Sequence, residues 1–328
     1  MLFEPLRIKS LTLRNRYVMP PMVTNMYVAS GQAIAYYRER ARGGVGLVIV
    51  EATHVDWFSR EIFLKGLRHL ADAVHEEGAA IAIQLFHGNV FDCRETTPTE
   101  LSKEQIGRLK RKFVYAAVKA REAGLDGVEP HGAHGFFLNQ FFSPEHNRRD
   151  DEYGGSLENR MRMGLEIVRE IRESLDPDAL ILYRHTPVGM GYTLEESIQF
   201  AVELEKAGLD VMDVSPSTGK GGEHADLAAA IKSALSIPII AVGGMEDPEA
   251  AEKALKEGKC DLVAVGRGLI ADPHLPNKIK EGRTDEIVKC IKCSEKCFGN
   301  LNAGLPISCT QNPKVGLEYL ARSEEVNR

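Results

Sequence analysis

One short phrase is written twice in this chain, as Glu122-Ala123-Gly124-Leu125-Asp126-Gly127-Val128 and as Lys206-Ala207-Gly208-Leu209-Asp210-Val211-Met212. Each joins the end of an amphipathic helix to a glycine and then to an apolar run. Looser copies stand at Tyr36–Arg42 followed by Gly43 to Val50, at His75–Gly78 followed by Ala79 to Leu85, and at Lys256–Val265. Glycine suits the hinge because it takes the left-handed conformation at a helix end without a Cβ penalty. Runs that are apolar throughout, rather than alternating, belong to strands covered on both faces, as in parallel sheets sheathed by helices. Adding Tyr17–Met22, Leu180–Arg184 and Pro238–Val242 gives eight strand candidates, most with a helix pattern after them. Eight strand–helix units over roughly 250 residues predict an α/β fold of the (β/α)8 TIM-barrel kind. A doubly wound sheet is the alternative, and the lack of a G-x-G-x-x-G after the first strand lowers it.

The composition fits such a core, with 43% apolar and 27% charged residues. The net charge of −6 argues against a nucleic-acid partner, which calls for a basic face. No run of about eighteen apolar residues is present to span a membrane. Met1 to Arg16 carry no apolar leader, so a cytoplasmic protein acting on a small molecule is expected.

Active sites of barrels lie at the C-terminal ends of the strands. In chain order those ends carry Pro20-Pro21-Met22-Val23-Thr24, Glu51-Ala52-Thr53-His54, Gln84 to His87 and Glu129 to His134. The later four carry Arg184-His185, Ser215-Pro216, Gly243-Gly244 and Gly266-Arg267-Gly268. Titratable side chains therefore gather at one rim. Either glycine loop alone reads as a tight turn. Both together, after the seventh and eighth strands and with Arg267 beside them, favour a phosphorylated ligand held by backbone amides.

Four of the six cysteines, Cys290, Cys293, Cys297 and Cys309, fall within twenty residues in the spacing C-x2-C-x3-C-x11-C. A disulfide framework would need a small secreted domain, which this chain does not resemble. Reduced thiols so clustered suit a structural zinc or an iron–sulfur cluster, and the spacing leans toward the cluster without deciding.

The stretch His131-Gly-Ala-His134-Gly-Phe-Phe-Leu-Asn139-Gln140-Phe-Phe-Ser143-Pro144, followed by Asn147-Arg-Arg149-Asp-Asp151-Glu-Tyr153-Gly-Gly-Ser156-Leu-Glu-Asn159-Arg160, closely resembles the signature of the old yellow enzyme family of FMN-dependent oxidoreductases. The likeness runs from Phe3 to about Gly282 and includes the start Leu2-Phe3-Glu4-Pro5-Leu6 and the element Arg40–Gly46. The cysteine array resembles that of the longer branch of the family, which contains 2,4-dienoyl-CoA reductase, trimethylamine dehydrogenase and 2-enoate reductases. On that resemblance the four thiols hold a 4Fe–4S cluster rather than zinc. Residues 1–283 would then form an FMN-binding barrel and 284–328 a cluster-binding segment.

The resemblance further implies that Pro21, Met22, Thr24, Glu51, Ala52 and Gln84 surround the flavin ring, with Gln84 on its pyrimidine edge. Arg184 would stand near the N1–C2 oxygen, where a fixed cation favours the anionic reduced flavin. Gly243, Gly244, Gly266 and Arg267 would hold the phosphate, and His131 and His134 the carbonyl or carboxylate oxygen of the substrate. The implied activity is reduction of the C=C bond of an α,β-unsaturated carbonyl compound, enoate or enoyl thioester by hydride from flavin N5. NAD(P)H would be the electron source, directly or through a partner.

Two departures qualify this expectation. Where the family has a tyrosine that protonates the α-carbon, this chain has Phe136. Replacement acids are Tyr27, Cys93, His185, Glu223 and His224, of which His224 is preferred, and amine oxidation of the trimethylamine dehydrogenase kind would need no acid. The second departure is length: the chain stops about twenty residues after Cys309, where cluster-bearing relatives continue into further nucleotide-binding domains. Either the sequence is a piece of a longer chain, or an external electron donor, a flavoprotein subunit or a ferredoxin, is expected; a homo-oligomer is expected as well. The rival expectation is an electron-transfer subunit that has lost turnover of its own.

Overall fold

A computed structural model describes residues 1–88, 97–217 and 221–320, with the backbone alone for 221–223. Two short strands, β1 (Leu6–Ile8) and β2 (Leu11–Leu13), pair as an antiparallel hairpin. Eight parallel strands follow: β3 (Tyr17–Met19), β4 (Leu47–His54), β5 (Ala80–Phe86), β6 (Gly127–Gly132), β7 (Leu180–His185), β8 (Val211–Val214), β9 (Ile239–Val242) and β10 (Leu262–Ala264). They pair in chain order, and β10 returns to β3, closing the barrel. The predicted (β/α)8 architecture is the one observed.

Helices α1 (Gly31–Arg42), α2 (Glu61–Glu76), α3 (Lys103–Glu122), α4 (Phe137–Phe142), α5 (Leu157–Ser174), α6 (Leu194–Lys206), α7 (Gly221–Lys232) and α8 (Pro248–Lys256) form the outer ring, with short α9 (Arg267–Ala271) and α10 (Leu275–Lys280) after β10. Local chemistry sets their ends. Ser102 with Gln105 and Thr193 with Glu196 form reciprocal capping boxes at the starts of α3 and α6. The repeated phrase ends α3 and α6 on Gly124 and Gly208, both left-handed with φ near 95° and 105°. No helix among the described residues is long and apolar enough to cross a membrane.

Alternate strand residues face the barrel axis, and the inward set changes character along the axis. Val18, Leu47, Ile49, Ala80, Ala82, Leu180, Leu182, Val211, Ile240 and Leu262 form an inner apolar column, capped below by Ile8 and Leu13 of the hairpin. One step further toward the strand C-termini the same faces carry Glu51, Gln84, Glu129, Arg184 and Asp213, all buried. The pairing of β4 with β5 shifts register between Val50 and Thr53, an irregularity at Glu51-Ala52 of the kind that re-aims side chains. Among the described residues, polarity is thus concentrated at one end of the interior, where barrel sites are built.

Beyond Glu286 the described chain has no strand, and its helical parts are the short α11 (Phe298–Asn302) and residues 318–320 at its end. It is fastened to the barrel by particular bonds. Ile307 N donates to Thr24 O at 2.9 Å, Asn25 Nδ2 to Leu305 O at 3.0 Å and Gln32 Nε2 to Gly316 O at 2.7 Å. The fully buried Arg40 pairs with Glu318, and its guanidinium lies 3.6 Å over the Tyr36 ring. Truncating Arg40 to Met leaves Glu318 as an uncompensated buried charge, a change that typically costs about 3–5 kcal/mol. Chemical denaturation of R40M should show a loss of that order, and unchanged stability would mean the pair does not anchor the segment.

Candidate active site

A cavity of about 450 Å³ opens at the polar end of the barrel. Its wall takes Pro21, Met22 and Val23 from the turn after β3, Ala52 from β4, Gln84 and Phe86 from β5, and His131, His134 and Phe136 from the end of β6 and its loop. Arg267 and Ile270 close one side, and Cys297, Phe298, Leu301, Asn302 and Ile307 of the C-terminal segment close another. Two larger surface grooves, of about 970 and 580 Å³, lie at Met1–Glu4 against α8 and between α5 and α6. Both belong to the helical shell, away from the strand ends.

The two histidines are largely shielded from water, His131 buried and His134 partly so. Their rings lie 5.5 Å apart at 78°, and His134 sits in the left-handed region at φ 60°, a conformation that costs energy for a side-chain-bearing residue and persists only where the surroundings enforce it. The enforcement is visible: Thr186 Oγ1 accepts from His134 N at 2.9 Å, Gly135 N donates to Asn139 Oδ1 at 2.9 Å, and Gln140 Nε2 donates to Gly135 O at 2.8 Å. Asn139 Nδ2 is in turn fixed by Tyr192 OH at 3.0 Å. Asn147, Arg149 and Arg160 brace the rest of this loop, Asn147 through Phe141 O and Tyr153 O, Arg149 through Asp151, and Arg160 through Phe142 O. The motif residues after the histidines therefore serve to build the loop that presents them.

Burial drives both imidazoles toward the neutral form, His134 to a pKa of about 3 and His131 well below its ordinary value, with Arg184 nearby adding to the effect. Each neutral ring keeps one N–H donor and one acceptor. His134 Nε2 lies 2.9 Å from Ser215 Oγ, which accepts from Arg184 Nη2 at 2.8 Å. The rings of Phe86 and Phe136 flank His131, their centroids 6.0 and 5.0 Å from its own. Phe136 thus occupies the cavity wall where an acid was expected.

Of the residues singled out in the sequence, Pro21, Met22, Ala52, Gln84, His131, His134 and Arg267 meet on this wall. Thr24 does not: it is buried behind, its N–H and hydroxyl both directed to the Glu51 carboxylate, the hydroxyl at 2.6 Å. Burial raises Glu51 to about 7, against the opposing pull of those bonds. Arg184 lies below the wall, with Nη1 3.2 Å from Asp213 Oδ2. Gly243 and Gly244 adopt φ of 110° and 76°, and the pairing of β9 with β10 sets their loop beside Gly266-Arg267. A Cβ on Gly266 would stand 3.2 Å from Met22 Sδ, so this glycine loop borders the cavity. Such a backbone cradle next to an apolar cavity with few convergent polar groups suits a phosphorylated planar cofactor.

The candidate acids fare differently. His224 is not on the cavity wall: its Nδ1 would lie 2.0 Å from a Cβ on Gly243, which places it over the glycine loop. His185 is fully buried with Nε2 2.9 Å from Ser197 Oγ and Nδ1 3.3 Å from Gly132 O, so both nitrogens are engaged away from the cavity. Tyr27 packs on Trp57 and Phe63. Cys93 and the Glu223 side chain lie outside the described residues. Sequence reading assigned no role to Ser215, Glu129 or Asp213, although each stands at a strand end. It also missed Phe298, Leu301 and Ile307, whose place depends on how the C-terminal segment docks.

Cys290, Cys293, Cys297 and Cys309 surround one small void of about 20 Å³, together with Arg267 and Ile270. All four are free thiols. Lys292 and Ser294, with φ of 57° and 60°, turn the chain tightly around them. Thr310 Oγ1 lies 3.3 Å from Cys293 Sγ, and this contact lowers the Cys293 thiol pKa. Among the described residues no three Cys, His, Asp or Glu side chains converge on a position for a single ion. Arg267, Ile270 and Cys297 border both the void and the cavity, forming a common partition.

Fold and site together define a barrel protein whose rim carries a hydrogen-bonding histidine pair beside a glycine-loop cradle and a thiol-lined void. The chain belongs to the NADH:flavin oxidoreductase / NADH oxidase family, whose profile matches residues 1–95 and 89–286, in agreement with the resemblance seen in the sequence. It is 42% identical to the NADH oxidase of Thermoanaerobacter brockii, over 97% of this chain and 56% of that protein. Among solved structures it superposes on 2-naphthoyl-CoA reductase in complex with 2-naphthoyl-CoA with a TM-score of 0.90 and 29% identity, over 97% of this chain and 58% of that one. Histamine dehydrogenase from Rhizobium sp. 4-9 gives 0.86 and 30%, over 97% and 53%. The chain spans a little more than half the length of each of these relatives.

Proposed function

We propose that this protein is an FMN- and 4Fe–4S-dependent ene-reductase acting on the C=C bond of an α,β-unsaturated carbonyl compound, enoate or enoyl thioester. The carrying observation is the pair of histidine rings that meet 5.5 Å apart on the wall of one cavity, because ring N–H donors preorganised at one place suit an oxygen on which negative charge develops. Residues 1–283 would hold FMN, with Pro21, Met22, Ala52 and Gln84 against its ring, Thr24 propping the turn through Glu51, Arg184 below and Gly243, Gly244, Gly266 and Arg267 at its phosphate. Bound FMN supplies the hydride. His131 and His134 would hold the substrate oxygen and stabilise the charge that develops there as hydride reaches the β-carbon, and Phe86 and Phe136 exclude water from the same space.

The four thiols of 284–328 would carry a 4Fe–4S cluster, a group that moves single electrons between redox centres. The electron source would be NAD(P)H, directly or through a flavoprotein subunit or ferredoxin, and a cytoplasmic homo-oligomer fits this chemistry. A relative that reduces a coenzyme A thioester and another that dehydrogenates an amine bracket two readings. Amine oxidation is favoured by one feature, Phe136, since removing hydride from carbon requires no proton donor.

An anaerobic assay of the parent and F136Y against enones, enoates and small amines separates them. For the reductase, alkene turnover is expected in the parent and should rise in F136Y by up to ~10²-fold, toward the lower range of general-acid effects. Turnover of amines alone, unimproved by the tyrosine, would replace the first reading with the second.

A further inference from the structure

Gln84, Glu129, Arg184 and Asp213 stand at one level of the barrel interior on four consecutive strands, Gln84 opposite Glu129 and Arg184 opposite Asp213 in the ladders. All four are buried, Glu129 and Asp213 completely. Gln84 Nε2 donates to Glu129 Oε1 at 2.7 Å. Arg184 Nη1 is close enough to Asp213 Oδ2 for an ion pair, at 3.2 Å, while Arg184 Nε and Nη1 make no hydrogen bond of ordinary geometry, and the Glu129 and Asp213 carboxyl groups lie within hydrogen-bonding reach of each other, a contact that two ionised carboxylates could not use. Two acids share one cation. If both were ionised the ring would carry a net negative charge directly beneath a cavity whose histidines are arranged to receive an oxygen anion.

We propose that Glu129 is a positioning residue that holds a proton at neutral pH on the oxygen turned from Gln84. Asp213 is then the ionised partner of Arg184 and the ring is neutral overall. A neutral Glu129 keeps Oε1 as the acceptor for Gln84 Nε2, which fixes the amide with its carbonyl oxygen left for the cavity. It also offers Asp213 a donor. Burial and then the charge of Asp213 both push Glu129 well above the ordinary carboxylate range, against the opposing effect of Arg184. The other groups facing it are Gln84 on β5 and, on its own strand, His131, which is neutral.

The inference rests on reading the rim cavity as the FMN site, but one arm of its test is independent of FMN. Infrared spectra of the parent at neutral pH, without FMN, should contain a protonated-carboxyl C=O band that shifts in D2O, is diminished in E129Q and survives in E51Q, the control for the other buried acid. With FMN, the isosteric E129Q should bind within about threefold of the parent, since both of its hydrogen bonds are kept, whereas D213N should weaken binding about tenfold or more by leaving Arg184 unbalanced. A band unaffected by E129Q overturns the proposal. So does E129Q that loses FMN as severely as D213N, or that fails to fold where D213N folds, because Glu129 would then be the charged partner. A parent that binds no FMN would defeat the cofactor reading while leaving the infrared result to decide the proton.

Discussion

Replacing both His131 and His134 with Ala should leave FMN bound and reduce kcat/KM on activated alkenes by about 10³-fold or more, since loss of a single preorganised oxyanion donor costs ~10²–10³-fold elsewhere. The pair acts on one oxygen, so the two losses will not multiply fully. Phenolic ligands, which imitate an enolate, should give the parent a long-wavelength charge-transfer band that the double variant lacks at equal flavin content. Because burial holds both rings neutral, with His134 titrating only near 3, phenol affinity should show no transition from these groups between about pH 5 and 8, where an unperturbed histidine would titrate. Undiminished phenol binding in the double variant would remove the histidines from the reaction and with them the main support for a reductase.

Cys293→Ala should remove about four irons per chain together with the broad visible absorbance of the cluster. Iron analysis and the spectrum of the anaerobically purified variant decide it. Retention of iron at the parent level would exclude a cluster on these four thiols. One zinc per chain in the parent, lost in the variant, would restore the zinc reading that spacing alone left open.

Much of this is legible in the sequence. The phrase Glu122–Val128, repeated at Lys206–Met212, encodes a helix stop and a buried strand together, and all eight strand candidates are barrel strands. The first is shorter than its apolar pattern. It ends at Met19 rather than Met22, because Pro20 and Pro21 have no N–H to give a ladder. The histidine loop was readable because its motif residues are the braces that force His134 into its left-handed turn. What could not be read depends on contacts distant in sequence. Thr24 looked like a cavity residue from its place after β3, but Glu51 draws it behind the wall. His224 looked available as an acid, whereas α7 lays it over Gly243. The wall formed by Phe298, Leu301 and Ile307 is set where Ile307 N reaches Thr24 O and Asn25 Nδ2 reaches Leu301 O and Leu305 O, a docking that no local pattern announces.

The partition between cavity and thiols is one residue thick at Cys297, and that residue caps α11, whose Phe298 and Leu301 shape the cavity. If the four thiols hold the proposed cluster, one of its ligands is also a hinge for the cavity wall. Damage to the cluster by oxygen would then be felt twice, once as a broken electron route and once as a changed appetite for substrates, and preparations differing in iron content should differ in selectivity as well as rate.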